Sequence, residues 1–196
     1  MTATHPEGLL LAAFPPELAG LLDAPPPGWT CATVGVGAVA AALATARLLS
    51  ERRPARVLFA GTCGAYDARL ATFDLLSAEE VLATSQDEAE GRAFRPELER
   101  SRWRAGWTLP LRAETVAVTP AITRTEAGAR ALARLAAAEH LELSGVFAAC
   151  EAAGVPVAAA LAVANRAGPG AHEEWRASHA EASRRLVAAL RERGIL

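Results

Sequence analysis

Apolar runs alternate along the chain with helical segments, and this alternation predicts the order of its elements. The segments with strand character are 9–14, 30–36, 56–60, 72–76, 80–84, 114–119 and 157–164. The segments with helical character are 17–22, 38–52, 123–138, 145–153 and 172–193. Strands that alternate with helices predict one α/β domain over residues 1–196, with helices on both faces of a sheet.

Local signals refine this pattern. The third strand is expected to stop in a glycine-flanked turn at 61–64. Thr123 and Glu126 have the spacing of a capping box, so Thr123 is predicted to cap the helix that follows. Residues 85–104 are polar and charged, which predicts a mobile excursion, and residues 1–7 are expected to form a loose tail. Segment 139–143 stays ambiguous.

Chemically distinctive residues follow several of these strands and one helix junction. Glu17 follows the first strand, Gly61-Thr62-Cys63-Gly64 follows the third, and Asn165 follows the last. Ligands of open α/β sheets collect outside the carboxyl ends of the strands. We therefore expect Glu17, Asn165 and also Glu142 to line a common cleft. A purely structural interpretation stays open, in which Glu17 caps a helix, Glu142 is a solvated charge and Asn165 begins a turn.

Composition excludes several functional classes. Apolar residues make up 52% of the chain and the formal net charge is −2, without the basic face of a nucleic-acid-binding protein. The chain has no lysine, which excludes a Schiff-base or P-loop lysine. Cys31, Cys63 and Cys150 are expected to be reduced thiols of a cytoplasmic protein. No metal, cofactor, membrane or nucleic-acid partner is expected.

Five stretches together carry a resemblance to a known family, and one of them is 157–175, which contains the run ANRAGP at 164–169. The other four come before it in the chain. They are LLAAFPPEL (10–18), VGVGAVAAALATARLL (34–49), VLFAGTCGAYD (57–67) and AEHLELSGVFAACEAAGVP (138–156). In this order they resemble the purine nucleoside phosphorylase/uridine phosphorylase superfamily. The similarity is greatest to its hydrolytic branch of methylthioadenosine/S-adenosylhomocysteine nucleosidases and futalosine hydrolases. The resemblance implies a three-layer α/β/α fold with a central mixed sheet.

The resemblance also implies roles for individual residues. Glu17 corresponds to the carboxylate that activates water, and Glu142 to the glutamate that holds the ribose hydroxyls. Asn165 corresponds to the residue that faces the purine, where adenosine-type nucleosidases have aspartate and futalosine hydrolases have asparagine. The substrate-binding residues implied are Gly61, Thr62, Cys63, Gly64, Leu141 and Glu142. Relatives of this branch form homodimers, so a homodimer is expected here.

The activity implied is hydrolysis of the N-glycosidic bond of a purine nucleoside, with futalosine the leading candidate and hypoxanthine the product. One alternative is a phosphorylase on the same fold. Phosphorylases of this superfamily bind phosphate with arginines, and segment 58–60 before the glycine-flanked turn has none. A second alternative is a catalytically inactive purine-binding or scaffold protein.

Overall fold

The computed structural model of the protein describes residues 8–196, so the predicted tail at 1–7 lies outside the described residues. The strands are β1 (Gly8–Ala12), β2 (Trp29–Thr33), β3 (Arg56–Ala65), β4 (Leu75–Ala83), β5 (Arg102–Arg104), β6 (Arg112–Val118), β7 (Ala138–His140) and β8 (Val157–Arg166). The α-helices are α1 (Ala38–Arg52), α2 (Gln86–Ala89), α3 (Glu126–Leu132), α4 (Leu143–Ala153) and α5 (Ala171–Glu192). A short 3-10 helix, Pro15–Leu18, follows β1.

The long strand β3 is the centre of a mixed sheet. Along one side it pairs in parallel with β8. On its other side it pairs in parallel with β1 near its start and antiparallel with β7 near its end. Strands β7, β6 and β4 continue the sheet, and β4 pairs with β8. The carboxyl ends of β1, β3 and β8 therefore meet at one edge, which is where parallel strands of α/β proteins present their ligand sites.

Alternation along the strands creates two apolar faces. In β3 the side chains of Val57 and Phe59 join the core cluster that includes residues of α1 and α4. Leu58 and Ala60 point the other way, into the cluster that includes residues of α5. Continuous apolar runs at β3 and β8 thus reflect strands covered on both faces. The α/β class with a central mixed sheet, predicted from the sequence, is confirmed.

The predicted turn at 61–64 is wrong, because these residues continue β3 to Ala65. Its glycines are needed for packing within the strand. A side chain on Gly61 would lie 2.8 Å from the Phe59 ring, and one on Gly64 would lie 2.9 Å from the Asn165 amide nitrogen. Neighbouring side chains, rather than a reversal of the chain, account for the glycines.

Other expectations also differ from the structure. The two strands predicted at 72–76 and 80–84 are replaced by the single strand β4 at 75–83, and the helix predicted over 123–138 covers only 126–132 as α3. Thr125, and not Thr123, caps α3, because its hydroxyl accepts a hydrogen bond from the Gly128 backbone N–H. Segment 85–104 is not wholly irregular, since it contains α2 and the edge strand β5. Trp103 of β5 is 9% exposed, and its burial in the core holds this segment on the sheet.

Candidate functional site

A cavity of about 390 Å³ lies beside the carboxyl ends of β1, β3 and β8. The structure brings Glu17, Glu142 and Asn165 together in its wall. Each of these polar side chains is at most 6% exposed. The remaining lining residues are Ala13, Phe14, Val36, Thr62, Cys63, Gly64, Ile122, Glu139, His140, Leu141, Ala171, His172 and Trp175.

Glu17 is positioned by the 3-10 helix that begins at Pro15, directly after β1. Its Oε1 accepts hydrogen bonds from the backbone N–H and the hydroxyl of Thr62, both at 2.8 Å. Its Oε2 accepts a hydrogen bond from the Ala13 N–H at 3.1 Å. Burial raises the pKa of Glu17 to about 7, the Thr62 hydrogen bonds partly offset this rise, and the Glu142 charge adds to it. A carboxyl with this pKa can take a proton from water near neutral pH.

The hydroxyl of Thr62 has a defined direction. The indole nitrogen of Trp175, which is only a donor, lies 3.2 Å from Thr62 Oγ1. The hydroxyl therefore accepts from Trp175 and uses its own hydrogen for Glu17. Trp175 also stacks on His179, with ring centroids 4.3 Å apart. This stacking fixes the orientation of the indole. The indole in turn orients the Thr62 hydroxyl, which donates a hydrogen bond to the Glu17 carboxylate.

Glu142 lies immediately before α4 and faces the N-terminus of α1. Its Oε1 accepts a hydrogen bond of 2.8 Å from the backbone N–H of Gly37, the residue that precedes α1. The N-terminal end of a helix attracts negative charge. The Glu142 backbone N–H donates a hydrogen bond of 3.1 Å to Nδ1 of His140, which is therefore an acceptor. Burial lowers the pKa of this imidazole, and the Glu142 charge offsets the shift only in part. The carboxylate is thus held in one orientation at the cavity wall.

Asn165 owes its orientation to an irregularity of β8. The register between β3 and β8 shifts between Cys63 and Gly64, so that Val163 pairs with Cys63 and Asn165 pairs with Gly64. Such a bulge redirects the side chains beyond it. The Asn165 side-chain amide donates one hydrogen bond of 2.9 Å to the Arg166 carbonyl oxygen. One amide hydrogen and the side-chain carbonyl oxygen remain available to a bound molecule.

Glu139 is a third buried carboxyl in the cavity wall, and it was missed in the sequence. It lies in β7, within the segment that was ambiguous, and is 5% exposed. Its Oε2 accepts hydrogen bonds from the Tyr66 hydroxyl at 2.7 Å and the Thr123 N–H at 3.2 Å. Burial raises the pKa of Glu139, and these hydrogen bonds lower it in part. No local sequence signal distinguishes Glu139, which stands between Ala138 and His140.

The other predicted residues divide between the cavity wall and the layer behind it. Thr62, Cys63, Gly64 and Leu141 line the cavity. Gly61 is not among the residues that line the cavity, and it lies two positions before Cys63 in the same strand. A Cβ at position 61 would lie 2.8 Å from the Phe59 ring and 3.3 Å from His140 Nε2, so Gly61 makes room for these two rings.

The cavity wall carries three carboxyl groups, from Glu17, Glu139 and Glu142. Among the described residues that line the cavity there is no arginine. Residues 8–196 also contain no group of three or more His, Cys, Asp or Glu side chains arranged to hold a metal ion. Cys31, Cys63 and Cys150 are free thiols, and no described helix has the length and apolarity that a membrane span requires.

Comparison with known proteins identifies the family. The model of the phosphorylase superfamily matches residues 27–193, and the protein belongs to this superfamily. A search of curated proteins found no match to the chain.

Solved structures with the same fold include several nucleosidases. Futalosine hydrolase of Helicobacter pylori superposes with a TM-score of 0.84 at 17% identity, over 99% of both chains. The 5′-methylthioadenosine/S-adenosylhomocysteine nucleosidase of Helicobacter pylori gives 0.82 at 17% identity, over 96% of this chain and 97% of the other. That of Colwellia psychrerythraea, in complex with adenine, gives 0.77 at 20% identity, over 91% and 90%. At these identities the likeness establishes the fold.

Proposed function

We propose that the protein is a purine nucleosidase, which hydrolyses the N-glycosidic bond of a purine nucleoside, with futalosine as the substrate and hypoxanthine as the released base. The observation that carries the proposal is the placement of Glu17 and Glu142, two buried carboxyls, in the wall of one cavity. N-glycosidic cleavage passes through an oxocarbenium-like sugar, as glycoside cleavage does. One carboxylate activates water and the second binds the sugar that gains positive charge.

Glu17 has the features of the base that activates water. Two donors from Thr62 and one from Ala13 fix its carboxyl, and its pKa near 7 suits proton transfer at neutral pH. The Oε1 atom of Glu142 accepts a hydrogen bond from the Gly37 N–H, and the residue lines the cavity. A carboxylate accepts hydrogen bonds from hydroxyl groups and stabilises a nearby cation, so Glu142 is assigned to the ribose hydroxyls.

The composition of the cavity wall favours hydrolysis over phosphorolysis. A phosphate ion needs cationic or multiple N–H partners, and carboxylates repel it. The described lining has Glu17, Glu139 and Glu142 and no arginine. The deciding assay incubates purified protein with futalosine, inosine, adenosine and methylthioadenosine, with and without phosphate. Release of base independent of phosphate supports a nucleosidase, and strict dependence on phosphate contradicts it. Failure to cleave any of the four would favour the inactive purine-binding alternative.

Asn165 is assigned to the base, and its replacement gives a prediction on specificity. Asn165→Asp introduces a group that can donate a proton to a ring nitrogen or accept from an amino group. We expect the ratio of kcat/KM for inosine to that for adenosine to fall by about tenfold to a hundredfold, since a buried unpaired polar group costs roughly 1–3 kcal/mol. Steady-state kinetics on both substrates measures the ratio. An unchanged ratio would exclude Asn165 from base recognition and remove the main argument for futalosine.

We further propose that two copies of the chain form a homodimer through α1. Val36, Val39 and Leu43 are 63%, 75% and 70% exposed, and Ile122 is 44% exposed. Val36 and Ile122 also line the cavity, so a second copy on this surface would cover the cavity mouth. A self-complementary interface of this kind is usual in twofold symmetric dimers.

Charges on this surface test the dimer. We expect Val39→Asp combined with Leu43→Asp to convert dimer to monomer, because buried unpaired carboxylates strongly oppose association. Light scattering and sedimentation at micromolar concentration give the mass. Ala180→Asp, at an exposed position of α5, is the matched control and is expected to leave the mass unchanged. A wild-type protein that is monomeric at this concentration would contradict the proposal.

A further inference from the structure

Three residues form a row across the central strands at the cavity. Gly64 of β3 pairs with Glu139 of β7 on one side and with Asn165 of β8 on the other. Side chains of directly paired residues share a face of the sheet. The position that a Gly64 Cβ would take lies 2.9 Å from the Asn165 amide nitrogen and 3.1 Å from Glu139 Oε1. The missing side chain lets the amide and the carboxyl converge over the glycine.

The two oxygens of Glu139 differ in their surroundings. Oε2 accepts from the Tyr66 hydroxyl and from the Thr123 N–H. The Tyr66 hydroxyl is in turn 3.0 Å from Thr123 Oγ1, which closes a small network. Among the described residues none donates a hydrogen bond to Oε1. A proton on this carboxyl therefore belongs on Oε1, because Oε2 already faces two donors.

The neighbourhood of Glu139 opposes a negative charge. Glu139 takes part in no ion pair among residues 8–196, and the Tyr66 hydroxyl and the Cys63 thiol are titratable groups that interact with its charge. Burial raises the pKa of both, so both are neutral at physiological pH. Asn165 and Thr123 are uncharged. Burial without a cation raises the pKa of Glu139 itself. The carboxyl is thus suited to hold a proton beside a bound ligand.

The proposed hydrolysis, on which this inference rests, requires a proton at the leaving base. Asn165 can donate a hydrogen bond, but an amide does not give up a proton, and one of its hydrogens is already committed to the Arg166 carbonyl. We propose that Glu139 is the general acid of the reaction, which gives its Oε1 proton to a ring nitrogen of the departing purine.

Two protons are transferred in this reaction. Glu17 takes a proton from water, and the hydroxide oxygen bonds to the anomeric carbon. The bond between that carbon and the purine nitrogen breaks, and its electron pair goes to the base. Glu139 transfers a proton to another ring nitrogen, so the base leaves neutral. Afterwards Glu17 releases its proton to solvent and Glu139 takes one up, which restores both groups.

A substrate whose leaving group needs no proton separates this role from a structural one. Wild type and Glu139→Gln are compared on whichever of the four nucleosides wild type cleaves fastest and on 4-nitrophenyl β-ribofuranoside, whose nitrophenolate leaves unprotonated. Loss of a general acid typically costs ~10²–10⁴-fold. We expect that loss in kcat/KM for the nucleoside and less than a threefold change for the nitrophenyl riboside. Equal losses on both substrates, or no loss on either, would overturn the proposal.

The pH profile on the nucleoside is a second, independent readout, and it serves also where Glu139→Gln does not fold. Activity that needs a protonated Glu139 is present below its pKa and is lost as the pH rises through it. The Tyr66 hydrogen bond lowers that pKa. Tyr66→Phe should therefore move the alkaline limb of kcat/KM upward by about 0.5–1 pH unit. A limb that stays in place would contradict the acid role.

Failure of the proposed function is distinguishable from failure of this inference. Wild-type protein that cleaves neither any of the four nucleosides nor the nitrophenyl riboside contradicts the hydrolase itself, and the acid role with it. Wild-type protein that hydrolyses a nucleoside, with a variant that shows no selective loss, contradicts the acid role alone.

Discussion

Glu17→Gln is expected to reduce kcat by about 10²–10⁴-fold, because the amide keeps the size of the side chain but cannot accept a proton from water. Binding of hypoxanthine should change less than threefold, since the base is assigned to Asn165 and not to Glu17. Steady-state kinetics gives the rate and calorimetry the binding. In the wild type the acid limb of kcat/KM is expected near pH 7, the pKa to which burial raises Glu17. This limb should disappear in the variant.

The pH dependence of the free energy of unfolding provides a control for the Glu17→Gln variant. The folded protein holds the Glu17 proton more tightly than the unfolded chain, in which the glutamate carboxyl has its ordinary pKa of about 4.5. The stability that this contributes is complete below about pH 4.5 and is lost as the pH rises through about 7. Glu17→Gln should therefore flatten the pH dependence of the free energy of unfolding in this range. A Glu17→Gln variant that retains the wild-type rate would contradict the catalytic role of Glu17 and leave it only a structural role in the 3-10 helix.

Glu142→Gln is expected to lower kcat/KM for a ribonucleoside by about 10²–10³-fold. The substitution removes the charge opposite the developing cation and weakens hydrogen bonds from the ribose hydroxyls, which are worth roughly 1.5–3 kcal/mol each when one partner is charged. The Gln oxygen can still accept from the Gly37 N–H, which preserves the junction between α1 and α4. Steady-state kinetics on inosine measures the loss.

Deoxynucleosides show whether the loss arises at the sugar. The ratio of wild-type to variant kcat/KM should be at least about tenfold smaller on the 2′-deoxy and 3′-deoxy analogues than on inosine. Each analogue already lacks one of the hydroxyl groups that Glu142 is proposed to contact, so the substitution removes less from it. Glu97→Gln, at an exposed position outside the cavity lining, is the matched control. It should leave the ratio of wild-type to variant kcat/KM near one on inosine and on both analogues. Equal ratios on inosine and both analogues would remove Glu142 from the ribose hydroxyls.

The elements that local sequence determines were the predictable part of the fold. Helix α1 runs over 38–52, as its Ala- and Leu-rich composition predicts, and Gly154 ends α4 in the left-handed conformation that glycine adopts without strain. The apolar run at 157–164 is a strand, which extends to Arg166 as β8. In these segments neighbouring residues supply most of the structural preference, so a pattern of a few residues is sufficient.

The features that were missed depend on distant contacts. Thr123 fits a helix cap locally, but its N–H donates to Glu139, and Thr125 takes over the cap. The glycines of β3 indicate a turn locally, but Gly64 is small because side chains of β7 and β8 meet above it. Glu139 has no distinguishing neighbour in the sequence. Its place in the cavity arises from pairing between strands that are more than seventy residues apart.

The position of β8 between β3 and β4 has a consequence for how the protein folds. Strands β1 and β3 can pair as soon as the first third of the chain is available, which places Glu17 next to Thr62. The other wall comes from β8, and the Trp175 indole that orients Thr62 comes from α5. During synthesis the cavity is therefore completed last, by the same strand insertion that unites the sheet. Binding competence and cooperative folding should appear together, because one late event produces both.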